Sequence, residues 1–158
     1  MKRVALKNLR DIDKELLMSA RSAMERAYNP YSNFFVGAAV LTADNSIVSG
    51  ANFENAAYSV TVCAERAALL RAAGMGHKGF KRIAIIGRGA KAPTTEVLSP
   101  CGVCRQMIME VSQISKKNIE VIMSSTNMKK IVTATIQELL PLGFGPDNLG
   151  LNVQRFRA

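Results

Sequence analysis

The sequence predicts an α/β fold in which helices cover the faces of a sheet. Three observations indicate this class. Apolar residues recur at helical spacing after Asp11, extended runs rich in β-formers begin at Phe34, and helical and extended segments alternate from there to about Leu140. The chain has 158 residues, 48% of them hydrophobic, and no internal repeat or linker divides it, so we expect one domain over residues 1–158.

Each predicted element follows from its own residue pattern. In chain order, the elements are helix Asp11–Tyr28, strands Phe34–Thr42 and Ile47–Phe53, helix Cys63–Ala73, strand Arg82–Gly87, helix Cys101–Ser115, strands Ile119–Met123 and Ile131–Thr135, and a short helical turn at Ile136–Leu140. An Asp is available to cap the first helix, and Asn29-Pro30 ends it. Turn residues at 43–46 join the first two strands into a predicted hairpin. Gly74 and Gly76 stop the second helix.

The basic charge of the chain raises the question of an anionic partner. There are 21 Lys and Arg residues against 12 Asp and Glu, a net charge of +9. Residues 1–26, 27–100 and 101–158 each hold 7 basic and 4 acidic groups, so each part carries +3. Because no part is a basic arm, the charge indicates a solvated surface, and we expect no nucleic-acid partner.

Hydropathy and cysteine content predict where the protein works. No apolar run approaches the ~18 residues needed to cross a bilayer, and the N-terminal residues lack the apolar core of a secretory signal. We therefore expect no membrane partner and a cytoplasmic location. The three cysteines include a Cys-x-x-Cys pair, which in a reducing compartment predicts metal or redox chemistry rather than a disulfide framework.

All three cysteines lie at the predicted N-termini of two helices. Cys63 opens one helix, while Cys101 and Cys104 open the other. A helix N-terminus presents unpaired N–H groups and partial positive charge, which favour a thiolate over a thiol. Three thiolates match the three protein ligands of a catalytic zinc site, whose fourth position is left for water.

Two charged neighbours of Cys63 complete this predicted site. Glu65 follows Cys63 by two residues and is positioned to exchange a proton with the water. Zinc with three thiolates has a formal charge of −1, which makes its water less acidic than at a site with three neutral ligands. The two helix dipoles and the Arg66 guanidinium, through a hydrogen bond to a cysteine sulfur, are expected to offset this charge.

Several interpretations of the cysteines stay open on these residues alone. Single cysteines are commonly inert core residues. A Cys-x-x-Cys pair at a helix start also occurs in thioredoxin-like redox sites, although that interpretation leaves Cys63 and Glu65 unexplained. A structural zinc has a closed fourth position, and the one histidine, His77, follows the helix-ending glycines and is expected at the surface.

Taken together, these motifs resemble the zinc-dependent deaminases of nucleosides and nucleobases. Cys63-Ala64-Glu65 and Pro100-Cys101-Gly102-Val103-Cys104 look like their signature, in which a Glu that is not a ligand acts as general acid and base. Four further segments resemble the small homotetrameric cytidine deaminases: Asn29–Phe34, Val36–Ala39, Asn52–Tyr58 and Glu138–Pro141. The resemblance runs from about Asp11 to Leu149 and implies a three-layer α/β/α sandwich around a mixed five-stranded sheet.

The resemblance also implies a function and a set of site residues. It implies zinc-dependent hydrolytic deamination of cytidine and deoxycytidine, with one zinc ion per chain held by Cys63, Cys101 and Cys104. The implied substrate contacts are Glu65 and the Ala64 N–H at the pyrimidine edge, Phe34 against the base, and Asn52 and Glu54 at the ribose hydroxyls. A carboxylate at the sugar would repel a phosphate, so Glu54 favours a free nucleoside over a nucleotide.

The resemblance further implies that active sites are shared between subunits. Ala56 and Tyr58 match positions that line a neighbouring subunit's site, and Phe144 resembles a residue that closes the pocket from another subunit. The alternatives for these positions are ordinary core packing at Tyr58 and Phe144 and a solvated strand-end carboxylate at Glu54. A homotetramer is therefore expected, with oligomerisation as part of the function.

The chain departs from the family pattern at a few positions, and rival functions remain. Val103 stands where a smaller residue is usual, Phe35 replaces a commonly polar residue, and the 88–95 loop is atypical; these departures leave fine substrate preference open. An editor of polynucleotides would need a basic groove with exposed aromatics, whereas the chain has 6% aromatic residues and no Trp. Two further functions stay open: deamination of a nucleoside antibiotic such as blasticidin, and partner binding by a zinc module without catalysis.

Overall fold

A six-stranded mixed sheet forms the middle layer of residues 1–153, the part of the chain that the computed structural model describes. Its strands are β1 (Lys2–Val4), β2 (Phe34–Thr42), β3 (Ile47–Ala51), β4 (Phe80–Gly89), β5 (Glu120–Ser124) and β6 (Ile131–Thr135). They lie in the order β1-β6-β5-β4-β2-β3, and of the neighbouring pairs β4 and β5 alone run parallel.

Helices cover both faces of this sheet, so the predicted α/β/α sandwich is confirmed. The helices are α1 (Asp11–Met24), α2 (Ala64–Gly74), α3 (Gly102–Ser115) and α4 (Ile136–Leu139). Leu16, Leu17 and Ala20 of α1 pack on one face of the sheet, and the apolar faces of α2 and α3 pack on the other. None of the helices in this described part has the length and apolarity that crossing a bilayer requires.

The expected count of five strands is wrong, because the sheet has a sixth strand at its edge. In β1, Lys2, Arg3 and Val4 pair antiparallel with Thr133, Val132 and Ile131 of β6. Three residues are too few for the alternation that identifies a strand. The remaining five strands are those that the sequence predicts, with shifted ends: β3 is shorter than its predicted run and β4 is longer.

The first helix differs from its prediction at both ends. It ends at Met24 rather than near Tyr28, because the Tyr28 N–H donates instead to the Asn52 carbonyl at 3.0 Å. The N-cap is Arg10, not an Asp, and it makes no side-chain capping bond. The buried Asp13 carboxylate instead accepts hydrogen bonds from the guanidinium groups of Arg10 and Arg82.

Two glycines allow the helices to approach the sheet closely. A Cβ on Gly37 of β2 would lie 1.9 Å from the Ala20 carbonyl oxygen of α1, and one on Gly50 of β3 would lie 2.5 Å from the Ala68 nitrogen of α2. Both obstacles are backbone atoms, which cannot rotate away. These contacts hold α1 and α2 close to opposite faces of the hairpin.

Candidate active site

Two of the cysteines occupy N-cap positions of neighbouring helices. Cys63 is the N-cap of α2 and Cys101 is the N-cap of α3, and their carbonyls accept the first intrahelical bonds, from Ala67 at 3.0 Å and Arg105 at 2.9 Å. Neither sulfur caps its own helix. Cys104 lies in the first turn of α3 and is fully buried. The predicted placement of all three cysteines at helix N-termini is therefore confirmed.

The three sulfur atoms converge on one point. All three Sγ atoms lie within 4.8 Å of one another, and those of Cys101 and Cys104 are 3.5 Å apart. A tetrahedral zinc site with bonds of about 2.3 Å places its sulfur ligands about 3.8 Å apart. Thiolate donors select zinc, Cu(I) or iron–sulfur clusters over hard cations. The spacing and the donor chemistry therefore fit zinc.

The local electrostatics favour anionic sulfur at Cys63. A hydrogen bond from Cys104 lowers the pKa of the Cys63 thiol to about 5, and Cys101 and the Arg66 guanidinium act in the same direction, whereas burial opposes them. The same pairing with Cys63, followed by burial, raises the pKa of Cys104. The cluster thus already stabilises negative charge at its centre, which a metal ligand requires.

Glu65 lies in the first turn of α2 beside this cluster. Only 4% of the surface of this residue is exposed. Burial raises the pKa of the Glu65 carboxyl to about 6, and the negative charge of Cys63 adds to this effect. A carboxyl whose pKa lies near neutrality can both accept and return a proton, which is what a general acid–base group needs.

Arg66 is held next to Cys63 by the loop before α2. One terminal nitrogen, Nη2, donates to the Thr61 carbonyl, and the guanidinium charge lowers the pKa of the Cys63 thiol. The Nε atom of Arg66 is buried and has no hydrogen-bond partner among the described residues. A buried donor without a partner beside anionic sulfur fits the predicted role of Arg66 in offsetting the charge of the cluster.

A cavity of about 320 Å³ opens in front of the cysteines and Glu65. It lies where β2 begins and β4 ends, since Phe34 pairs with Gly89 and Val36 pairs with Gly87. The residues that line it are Ser32, Phe34, Val36, Asn52, Glu54, Thr61, Cys63, Ala64, Glu65, Leu98, Ser99 and Cys101. A larger cavity of about 590 Å³ lies near the start of α1, but it contains none of the cysteines.

Seven of the predicted site residues line this cavity: Phe34, Asn52, Glu54, Cys63, Ala64, Glu65 and Cys101. Cys104 lies behind them in the core. Five other lining residues have no role predicted from the sequence: Ser32, Val36, Thr61, Leu98 and Ser99. Ser32 and Val36 lie inside the Asn29–Phe34 and Val36–Ala39 segments, and Ser99 lies two residues before Cys101, so their closeness in sequence to these motifs is the signal that points to them.

Asn52 fixes the backbone of β2 at the cavity wall. Its Oδ1 accepts from the Val36 N–H at 2.9 Å, and its Nδ2 donates to the Phe34 carbonyl at 3.0 Å. Gly87 provides the space for the Phe34 ring, because a Cβ there would lie 3.2 Å from the ring and 2.7 Å from the Leu98 side chain. The Phe34 ring is therefore packed into the cavity wall by its neighbours.

Glu54 is a buried carboxylate that organises the loop before β2. It is 8% exposed, which contradicts the alternative of a solvated strand-end residue. Oε2 accepts from the backbone N–H groups of Tyr31 at 3.0 Å and Ser32 at 3.1 Å, and Oε1 accepts from the Ser32 hydroxyl. Burial raises the pKa of this carboxyl, but these hydrogen bonds outweigh burial and hold the pKa below its usual value.

The three residues with predicted inter-subunit roles lie outside the cavity. Ala56 is exposed, and Tyr58 and Phe144 are 73% and 58% exposed. The alternative of core packing within one chain is therefore wrong for Tyr58 and Phe144. Tyr58 makes an edge contact with Tyr31, with ring centroids 5.8 Å apart, and Tyr28 stacks on Phe53 at 4.8 Å. Four aromatic side chains, Tyr28, Tyr31, Phe53 and Tyr58, are thus exposed in this part of the chain.

His77 differs slightly from its expectation. It is expected at the surface, but its side chain is only 16% exposed, and its Nδ1 lies 3.3 Å from an Asp44 carboxylate oxygen. Within the described residues it does not join the cysteine cluster. The candidate metal site therefore has three protein donors.

Comparisons with known proteins agree with this geometry. Residues 10–121 match the family described as the cytidine and deoxycytidylate deaminase zinc-binding region. A cytidine deaminase of Sporosarcina psychrophila is 41% identical over 140 residues, which cover 88% of this chain and 95% of that protein. A probable cytidine deaminase of Dictyostelium discoideum is 34% identical over 83% of this chain and 82% of that protein.

Solved structures of similar proteins share the fold. The crystal structure of a cytidine deaminase from Burkholderia pseudomallei superposes with a TM-score of 0.73 at 38% identity, covering 82% of this chain and 97% of that chain. The structure of a cytidine deaminase from Mycobacterium tuberculosis gives a TM-score of 0.68 at 31% identity, covering 87% and 99%. The match extends over nearly the full length of each solved chain.

Proposed function

The chain belongs to the cytidine and deoxycytidylate deaminase zinc-binding family, and from this premise we propose that it hydrolyses cytidine and deoxycytidine to uridine and deoxyuridine with release of ammonia. The observation that carries the proposal is the convergence of three cysteine sulfurs beside the buried Glu65 carboxyl at one end of a 320 Å³ cavity. Such a reaction belongs to pyrimidine salvage, and the unpaired thiols suit a reducing cytoplasm.

The metal site that we propose consists of Cys63, Cys101 and Cys104, which hold one zinc ion per chain. The spacing of the sulfurs, the lowered pKa of the Cys63 thiol and the helix N-termini behind the cysteines all suit this ion. When bound, zinc acts as a Lewis acid that makes a water molecule nucleophilic near neutral pH.

Glu65 is the proposed proton carrier. Its carboxylate takes a proton from the attacking water, and the water oxygen forms a bond to C4 of the cytosine ring. Glu65 then gives that proton to N3 and assists the second proton transfer to the exocyclic amine. The C4–N4 bond breaks, ammonia leaves, and the C4 carbonyl of uridine remains. The raised pKa of Glu65, about 6, suits a group that must be both base and acid.

The base is held by contacts from two elements. The Ala64 N–H is at the first position of α2, where no intrahelical acceptor exists, so it is available to a carbonyl of the pyrimidine. The Phe34 ring, packed at the cavity wall, supplies an aromatic face for the base.

Asn52 and Glu54 bind the sugar through donor and acceptor positions that their other hydrogen bonds leave free. A carboxylate has about four acceptor positions, and Glu54 uses two on Oε2 and one on Oε1. One position on Oε1 remains for a sugar hydroxyl. Asn52 uses one of its two amide N–H bonds, so the other can donate to the same hydroxyl. A phosphate at this position would face the Glu54 charge, which supports a free nucleoside as substrate.

We also propose that the enzyme is a homotetramer with shared active sites. Tyr58, Phe144 and Ala56 are exposed in the isolated chain, and the surface around Tyr58 includes Tyr28, Tyr31 and Phe53. Burying such aromatic groups between chains is favourable, and a symmetric assembly would bring them to a neighbour's cavity.

The experiment that tests the function follows the ultraviolet absorbance of cytidine incubated with the purified, zinc-loaded protein. We expect absorbance to fall as cytidine becomes uridine, with equimolar ammonia released, and we expect a chelator that removes zinc to stop the reaction. Deoxycytidine and blasticidin are assayed beside cytidine. A protein that acts only on blasticidin, or that holds zinc but releases no ammonia from any cytosine compound, would overturn the proposal.

A further inference from the structure

Ser32 connects the two proposed substrate contacts of the cavity. The Ser32 hydroxyl donates to Oε1 of Glu54, and the Ser32 Oγ atom accepts a hydrogen bond from the Phe34 N–H at 3.0 Å. The side chain lines the cavity but belongs to none of the roles described above. It is therefore a polar group in the site without an assigned function.

The direction of these hydrogen bonds follows from chemistry. A hydroxyl has one donor and two acceptor positions. Because the ionised Glu54 carboxylate can only accept, the Ser32 hydrogen must point to it, and a lone pair is left for the Phe34 N–H. A hydroxyl that donates to a carboxylate is also a stronger acceptor, because hydrogen bonds in a chain polarise one another.

The Phe34 backbone is consequently held on both sides. Ser32 accepts from its N–H, and the Asn52 amide donates to its carbonyl at 3.0 Å. Asn33, between Ser32 and Phe34, has a positive φ of 54°, so a tight left-handed turn precedes the strand. A residue fixed at both peptide groups places its ring with little freedom.

We propose that Ser32 is a positioning residue for the deamination reaction: it couples the carboxylate that recognises the sugar to the placement of the Phe34 ring against the base. The proposal rests on the proposed function. Glu54 orients the Ser32 hydroxyl, the hydroxyl holds the start of β2, and β2 carries the ring. Without the hydroxyl, the turn keeps its two backbone bonds to Glu54 but loses its connection to Phe34.

The test measures steady-state kinetics on cytidine for the zinc-loaded wild type and for Ser32→Ala. We expect KM to rise about 10-fold, the effect of losing one hydrogen bond to a charged group, while kcat changes less than about 2-fold. Ser32→Thr keeps a hydroxyl and should restore KM to within about 3-fold of the wild type. Ser22→Ala, at an exposed position in α1, is the matched control and should leave KM unchanged.

A second measurement separates positioning from a general loss of stability. In a Phe34→Leu background, which lacks the ring, Ser32→Ala should raise KM by less than about 3-fold, because the two residues act as a unit. An equal KM penalty in both backgrounds, or an unchanged KM for Ser32→Ala, would overturn the role of Ser32 alone. An inactive wild type would overturn the proposed function, and the positioning role would fall with it.

Discussion

Cys63 and Cys101 occupy the N-cap positions of two different helices, yet their sulfur atoms lie within 4.8 Å of each other. The positive ends of the α2 and α3 dipoles therefore both lie at the cluster of cysteine sulfurs. Three thiolates around zinc would leave a formal charge of −1, and two helix N-termini together with Arg66 are placed to offset it. The arrangement depends on both helices, so metal binding and the packing of α2 and α3 are expected to be linked.

The first prediction concerns this link. Cys101→Ala removes one of three donors, so we expect the protein to lose its zinc and to unfold at a lower temperature than the zinc-loaded wild type. Metal analysis after dialysis, together with thermal unfolding with and without a chelator, measures both effects. Val103→Ala, in the same helical turn but with an exposed side chain, should keep one zinc per chain. Full zinc content in Cys101→Ala would remove that cysteine from the site.

The second prediction separates chemistry from metal binding. Glu65→Gln keeps the size of the side chain but cannot carry a proton, so we expect normal zinc content and a loss of about 10²–10⁴-fold in kcat. Turnover of cytidine and zinc content are measured on the same sample. Glu15→Gln, at an exposed position of α1, is the matched control for the loss of one carboxylate and should turn over normally. Near-normal kcat in Glu65→Gln would show that another group moves the proton.

Much of the site was predictable because its residues cluster in sequence. Cys63, Glu65 and Cys101 stand at helix starts that propensity and glycine stops identify, and helix dipoles give a reason for cysteines there. Residue patterns likewise predicted five of the six strands and all four helices to within a few residues, including the short α4 at Ile136–Leu139. The short β1 strand was not predictable, because its pairing with β6 depends on a partner far away in the sequence.

What the sequence does not reveal is how side chains bond to distant backbone groups. The predicted strand continues to Phe53, but β3 ends at Ala51. Beyond that end, the side-chain amide of Asn52 makes hydrogen bonds to the β2 backbone. Glu54 serves the loop before β2 through three hydrogen bonds. Neither bond pattern has a local signature, since each depends on how β2 and β3 are paired in three dimensions.

The third prediction tests the close approach of α1 to the sheet. Gly37→Ala would place a methyl group 1.9 Å from the Ala20 carbonyl oxygen, so the helix must shift, and we expect a loss of about 3 kcal/mol in the free energy of unfolding. Gly74→Ala is the control: its Cβ meets no atom within 4 Å, and it should be neutral or stabilising by up to about 1 kcal/mol. Chemical denaturation measures both. Equal stability of the two variants would contradict the packing described for Gly37.

The fourth prediction follows from the lowered pKa of Glu54. A carboxyl whose folded pKa lies below its ordinary value of 4.5 stabilises the fold fully above that pH, and the contribution is lost as pH falls through the folded pKa. Glu54→Gln removes this contribution. We therefore expect the difference in melting temperature between wild type and variant to be largest above pH 4.5 and to shrink below it. A difference that grows on acidification would show that folding raises the pKa of this carboxyl instead of lowering it.

The fifth prediction concerns the exposed aromatic surface around Tyr58. If this surface packs between chains, Tyr58→Ala should weaken the assembly, and specific activity on cytidine should fall on dilution as chains separate. Sedimentation velocity over a range of concentrations follows the assembly. Tyr58→Phe keeps the ring and its edge contact with Tyr31, so it should assemble like the wild type. A fully active monomeric wild type would exclude shared sites.

Mixing two defective variants tests sharing directly. A Glu65→Gln chain lacks its own proton carrier but still offers Tyr58 to a neighbour, whereas a Tyr58→Ala chain keeps Glu65 and lacks the ring that it would offer to others. In a mixed assembly, a Tyr58→Ala chain supplies an intact Glu65, and a neighbouring Glu65→Gln chain supplies Tyr58 to that site. Activity of the mixture on cytidine should therefore exceed the summed activities of the two variants measured separately. This gain requires that Tyr58 of one chain support the site of another chain, because no exchange of chains could repair either defect if each site were built from one chain alone and worked without its neighbours.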